Sequence, residues 1–250
     1  MIAALRRNPF PVEAWFDFSI TLTFAVPKAE LAARLPACLE AETFDDRWAF
    51  IAVAFVQTRH LRPRGWPRIF GRDFLLAGYR HFVAYRAQDG RRLRGLQIIR
   101  SETDRRTMAF FGNLLTPYHY THTPLKLDQR DGVYHLADER SGLRVAAFAE
   151  TAAAGEPPLP VGSPFRAWKD ARRFCGPLPF TFSCDAARHR VLIIEGVREQ
   201  WKPAPIGIHH CHIPHLARLG FSETRLACAF MVRDIPYHWK KGRFEPWLSA

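Results

Sequence analysis

The chain has 250 residues, 48% hydrophobic and 13% aromatic, which is enough apolar mass for a substantial core and too much for a disordered polypeptide. Its formal charge is +12, from 36 basic against 24 acidic residues; only Lys28, Lys126, Lys169, Lys202, Lys240 and Lys241 are lysines, so arginine supplies an excess suited to anionic partners but silent about fold. Apolar runs such as 50–56 and 191–194 fall far short of the roughly 20 residues that cross a bilayer, so no membrane-spanning role and no membrane partner are expected.

Residues 14–26 place Phe16, Phe18, Ile20, Leu22 and Phe24 at alternate positions, the period-two signature of a half-buried strand. Pro27 then opens a short helix over 28–35 that Pro36 stops. Residues 39–44 and 48–58 read as a hairpin whose second arm is apolar on both faces. The stretch 62–72, with Pro63, Gly65, Pro67 and Gly71, is long enough for a lid or a pocket rim. Residues 74–87 and 91–101 flank Asp89-Gly90, a strong hairpin signal.

Asp104 is placed to cap a helix reaching Leu114, with Met108, Phe111 and Leu115 recurring on one face and Pro117 ending it. Strands are predicted over 118–127, 132–138 and 143–151, separated by Asp131-Gly132 and Ser141-Gly142 turns. A loop over 152–162 follows, and Ser163-Pro164 starts a helix to about Phe174. Strand patterns return over 178–186, 189–201, 206–212 and 224–234. The pattern predicts one domain over 1–250, mainly β with some α, closed as an antiparallel barrel and capped by a few helices.

Cys38, Cys175, Cys184, Cys211 and Cys228 lie far apart without CxxC spacing, and no apolar signal segment opens the chain. The thiols are therefore expected to be reduced and the protein cytoplasmic. No GxSxG elbow, P-loop, GxGxxG after a strand or HExxH is present, which disfavours nucleotide-dependent chemistry.

The run Val26-Pro27 to Leu31, then Leu35-Pro36, Leu39-Glu40, Thr43-Phe44-Asp45, Trp48, Arg62-Pro63, Arg80 and Gly112 to Tyr120, resembles the bacterial DUF2071, or YqjF-like, family over about 15–240. That family is similar in fold to acetoacetate decarboxylase, so the resemblance implies a closed barrel around a small-molecule pocket. In the decarboxylases a Gly-Arg-Glu segment leads to Pro-Lys-Lys, and one lysine forms a Schiff base with a keto acid. Here the comparable stretch is Gly112-Asn113-Leu114-Leu115-Thr116-Pro117-Tyr118-His119, with Tyr118 and His119 in place of the lysines. A Schiff base needs a lysine whose amine is neutral near pH 7. If this chain is an enzyme, the resemblance implies a lyase or related activity without that lysine. Lys126 and the Lys240-Lys241 pair are the substitutes considered, and both read better as surface residues.

Within Pro117 to His122, strand alternation sets Tyr118, Tyr120 and His122 on one face and His119 on the other. The first three would offer two phenol donors and an imidazole able to polarise a carbonyl or move a proton, with His119 taking that place if the register shifts by one. Arg80, mid-strand between Tyr79 and His81, needs an anion; a ligand carboxylate, Glu102 or Glu150 could supply it. His209, His210, Cys211, His212 and His215 raise a metal-assisted alternative through His210 and His212, although no second Cys/His pair with structural-zinc spacing accompanies them, and no metal or cofactor is assigned. The arginines are dispersed rather than striped, which argues against nucleic acid, while a basic module binding nucleic acid or an acidic partner stays as the second reading. The leading reading is a barrel that binds a small anionic organic acid or carbonyl compound, compatible with a homo-oligomer.

Overall fold

A computed structural model describes residues 7–149 and 157–247. The alternating segment forms β1 (Val12–Pro27), a 16-residue strand. It pairs on one edge with β4 (Trp48–Pro63) and on the other with β14 (Arg225–Trp239), both antiparallel. β4 pairs with β5 (Arg72–Arg86), and β5 with β6 (Arg92–Thr103). β6 then runs parallel to β11 (Phe180–Asp185), which is antiparallel to β12 (Arg190–Arg198).

A short ladder between β12 and β14, Gly196 opposite Trp239 and Arg198 opposite Tyr237, returns to the starting edge. Seven strands therefore close into a ring, antiparallel at every link except β6–β11. Closure satisfies the edge hydrogen bonds that an open sheet leaves bare. β15 (Arg243–Pro246) adds to β12, and two short strands, β2 (Glu40–Ala41) and β3 (Thr43–Phe44), add to β5 and β4.

A second layer, β8 (Lys126–Arg130), β9 (Val133–Asp138), β10 (Leu143–Ala149) and β13 (Ala204–His212), joins β14 through Ala204 and Pro205. Between that layer and the outside of the ring lies one core, where Ile20, Leu22, Val53 and Tyr79 meet Leu136, Val145 and Leu216. A second core fills the inside of the ring at one end. There Phe50, Phe82, Phe165 and Phe174 pack with ring centroids 4.8 to 6.5 Å apart.

The helices are α1 (Lys28–Ala32), α2 (Arg106–Leu115), α3 (Trp168–Cys175) and α4 (Pro214–Arg218). Among the described residues no helix is long and apolar enough to cross a membrane. Two expected caps are used elsewhere. Asp104 accepts the backbone N–H of Leu75, tying the start of α2 to β5. Ser163 donates to the Ala227 carbonyl and accepts from Phe165 N–H, so α3 begins only at Trp168. The strand expected over 118–127 is divided into β7 (Tyr120–His122) and β8, because His119 adopts a left-handed φ of 52°.

The cysteines depart from the expectation of free thiols: Cys38 and Cys184 pair as a disulfide across a sequence separation of 146 that no local spacing reveals. Cys175 and Cys228 are buried thiols with sulfurs 3.4 Å apart. Thr151, the end of an expected strand, and the first half of the expected loop lie outside the described residues.

Candidate functional site

The end of the ring opposite the phenylalanine cluster is not filled. Small hydroxyl residues occupy inward positions there: Ser19 and Thr21 on β1, Thr58 on β4, Ser101 on β6. A β-bulge between Phe16 and Phe18 switches which side chains of β1 face inward, from Phe16 before it to Ser19 and Thr21 after it. The result is a cavity of about 220 Å³, roofed by Met108, Phe111 and Leu115 of α2 and largely apolar.

Arg80 projects into this cavity from the middle of β5. Leu76, Arg80 and Phe82 face inward while Leu75, Ala77 and Tyr79 join the outer core, as strand alternation demands. The register shift between Tyr79 and Arg80 leaves Ile99 of β6 unpaired, so the alternation of β5 runs unbroken through Arg80. Among the described residues the guanidinium has neither a hydrogen bond nor a carboxylate partner. Glu102, one of its expected partners, lies across the sheet, taking Arg100 Nε at 2.7 Å and the Tyr79 hydroxyl at 3.1 Å. Glu150, the other, lies outside the described residues. Burial lowers the proton affinity of Arg80, an effect opposed by the nearby Tyr237 and reinforced by Arg198.

Tyr118 and Tyr120 reach the same cavity, their ring centroids 6.4 Å apart. The Tyr118 hydroxyl is 2.7 Å from Thr181 Oγ1 on β11, whereas the Tyr120 hydroxyl has no protein partner among the described residues. Burial raises the pKa of both phenols, that of Tyr120 to about 12, so each is a neutral donor near pH 7. Tyr120 is held from behind: Asn113 Oδ1 accepts its backbone N–H and Asn113 Nδ2 donates to its carbonyl, both at 2.8 Å. Its ring lies against Gly112, where a Cβ would come within 2.4 Å of Cδ2.

His119 is exposed, and His122 is half-buried beside Thr103 and is not among the cavity-lining residues. The structure thus brings Arg80, Tyr118 and Tyr120 together and sets both histidines apart. The arginines of the 62–72 turn do not line the cavity either; its neighbours Leu61 and Phe74 do. His209 to His212 lie exposed on β13, with a register shift at His209, which stacks on Phe148 at 4.1 Å. Among the described residues no three His, Cys, Asp or Glu side chains are grouped to hold a metal ion.

Sequence reasoning missed Arg198, Tyr237 and Thr181. Arg198 ends an apolar strand on the same alternating face as Leu192 and Ile194, a signal present in the sequence, but only ring closure shows that this face looks into the cavity. The described lining contains no Asp, Glu or Lys.

The fold is similar to that of acetoacetate decarboxylase-like proteins of known structure. Acetoacetate decarboxylase from Legionella pneumophila aligns with a TM-score of 0.60 at 12% identity, covering 95% of this chain and 88% of that one. The enduracididine biosynthesis enzyme MppR complexed with pyruvate aligns at 0.61 and 12%, covering 94% and 90%. An acetoacetate decarboxylase-like enzyme from Sphingomonas wittichii RW1 aligns at 0.58 and 14%, covering 95% and 94%. At such identities these likenesses show the fold alone. A search of curated proteins gave no match. The sequence profile of DUF2071, described as an uncharacterized conserved protein, matches residues 13–242, and the chain belongs to that family.

Proposed function

We propose that the cavity binds a small organic acid or carbonyl compound carrying a negative charge, with Arg80 holding the anion and Tyr118 and Tyr120 orienting or polarising the group beside it. The observation that carries this reading is a guanidinium inside a largely apolar cavity, with no partner among the described residues. Such a charge is costly to bury unless something pairs with it, and a ligand carboxylate can do so through two parallel hydrogen bonds. Phenols kept neutral by burial are hydrogen-bond donors to a carbonyl oxygen, where they stabilise developing negative charge. The solved complex of MppR with pyruvate supports an acid of this size in the same kind of fold.

A lyase or related activity at this site would proceed without a covalent imine, because none of Lys28, Lys126, Lys169, Lys202, Lys240 and Lys241 is part of the described cavity lining. The phenols would supply polarisation and proton transfer.

The test is thermal denaturation of the full chain with pyruvate and with acetoacetate. At a ligand concentration about 100 times Kd, binding stabilises by about 2.7 kcal/mol, which raises Tm by several degrees. Arg80→Ala is expected to fold and to lose that rise. An Arg80→Ala variant with an undiminished rise overturns the assignment.

A further inference from the structure

The cavity wall carries more positive charge than one carboxylate neutralises. On β12 the inward face runs Leu192, Ile194, Gly196, Arg198: the first two pack with Tyr118 and Gly196 receives the Tyr237 hydroxyl. Arg198 is the last of that series and lines the cavity with Arg80. The ladder that closes the ring sets it directly opposite Tyr237. Its guanidinium carbon lies 4.9 Å from the Trp201 ring centroid and 5.0 Å from that of Tyr237. Those contacts use the faces of the guanidinium and leave its N–H edges free to donate.

Neither Arg80 nor Arg198 has a carboxylate or a hydrogen-bond acceptor among the described residues. Among the described residues the other half-buried arginines find acids: Arg59 pairs with Asp17 at 2.7 Å, Arg62 with Glu13 at 2.6 Å, Arg94 with Glu42 at 2.7 Å, Arg100 with Glu102 at 2.7 Å and Arg190 with Asp185 at 3.0 Å. Arginines without a salt bridge elsewhere, such as Arg64 and Arg86, are exposed, so among half-buried arginines the contrast is confined to the cavity. On the same wall the Trp201 indole N–H is buried without an acceptor among the described residues. Two cations in one low-dielectric space repel each other, and a monoanion leaves one of them uncompensated.

We propose that Arg198 is a second anion anchor of this cavity, so that its ligand is an organic dianion, either a dicarboxylate or a phosphomonoester, on a short apolar body. The inference rests on the reading of the cavity as an anion site and adds the charge of the ligand to it. Arg80 holds one pair of anionic oxygens and Arg198 the other. Met108, Phe111 and Leu115 cover the apolar part.

The experiment is calorimetric titration of the full chain with three probes of similar length: valerate, glutarate and propyl phosphate. At pH 8 at least one of the two dianions is expected to bind ten-fold or more tightly than valerate, and which one does so separates the two chemistries. Arg198→Gln is expected to remove that preference while changing valerate affinity less than three-fold. Propyl phosphate gives a second readout without a substitution, since a phosphomonoester loses its second charge below about pH 6. If it is the preferred dianion, its advantage over valerate should disappear at pH 5.5. Equal affinity for all three probes at pH 8, or a dianion preference that survives Arg198→Gln, overturns the second anchor and leaves the Arg80 site standing. If none of the three binds, or if Arg80→Ala leaves valerate affinity unchanged, the anion-site reading itself is overturned and the second anchor with it.

Discussion

Gly78 lies beneath the guanidinium of Arg80: a Cβ built at Gly78 would stand 3.0 Å from Nη2 and 3.2 Å from Nε. The two residues share the inward face of β5, and the missing side chain leaves the space into which the charged group folds. Gly78→Ala should therefore displace the guanidinium without harming the strand, where alanine costs less backbone entropy than glycine. The expected outcome is a Tm within a few degrees of wild type and a Kd for the anionic ligand weakened about tenfold, the equivalent of about 1.4 kcal/mol. Calorimetry on the folded variant checks it, and unaltered binding would show that the position of Arg80 does not depend on that space.

Tyr120 should separate stability from binding. Asn113 satisfies both backbone groups of Tyr120, and losing two such bonds at a partly buried site costs roughly 2 kcal/mol. Asn113→Ala is thus expected to lower Tm by about 4 to 8 °C. Tyr120→Phe keeps the ring against Gly112 and removes only the hydroxyl, which bonds to nothing in the described protein. Its Tm should be unchanged and its affinity for a carbonyl-bearing acid reduced several-fold. A Tyr120→Phe variant that binds as wild type would remove the phenol from the site.

The strands were legible because their cause is local. Ile20, Leu22 and Phe24 alternate with Ser19, Thr21 and Thr23, and no distant contact is needed to read a strand from that spacing; the expected half-burial gave way to burial on both faces, because ring closure turns the hydroxyl face into the interior. Arg80 stood out as a charge amid packed neighbours, and Tyr118 and Tyr120 as polar aromatics two residues apart. What escaped depends on tertiary partners. Asp104 could cap a helix or serve Leu75, and only the β5–β6 register decides. His122 keeps the alternating face of Tyr120 on β7, but it sits two residues further along, opposite Thr103 rather than the lining residue Ser101. Arg198 acquires its meaning from the ladder with Tyr237, a pairing between residues 39 positions apart in the chain. Cys38 and Cys184 likewise meet only in three dimensions.

The composition of the lining predicts how the protein responds to a carbonyl trap. A lysine imine reduced by borohydride leaves a permanent mass increment, and it forms at a lysine whose amine is held neutral. Lys126 is paired with Glu139 at 3.4 Å on an exposed strand, and Lys240 with Glu195 at 2.9 Å, so both lie in exposed ion pairs away from the cavity. Incubation with pyruvate or acetoacetate and borohydride should leave the intact mass unchanged. A stoichiometric adduct mapping to any of the six lysines would restore the imine mechanism.

His81 gives the fold a pH dependence separate from the cavity. It follows Arg80 on β5 and faces the opposite way, 7% exposed, with Nδ1 3.1 Å from Gln97 Oε1. Burial pushes its imidazole from the ordinary 6.5 down to about 4, so the folded protein keeps it neutral where the unfolded chain would protonate it. Because the unfolded state binds the extra proton, the stabilisation from a neutral His81 is complete above about pH 6.5. It declines as pH falls through that value and is exhausted near pH 4. At 1.36 kcal/mol for each pH unit between those two values, the total is roughly 3 kcal/mol. His81→Gln removes the titrating group and keeps a polar partner for Gln97. Urea denaturation at pH 7.5, 6.0 and 4.5 should show wild type losing up to about 3 kcal/mol more than the variant between the extremes, with most of the difference arising between pH 6.0 and 4.5. Parallel curves for the two proteins would mean that His81 is charged, or free to become so, in the folded state.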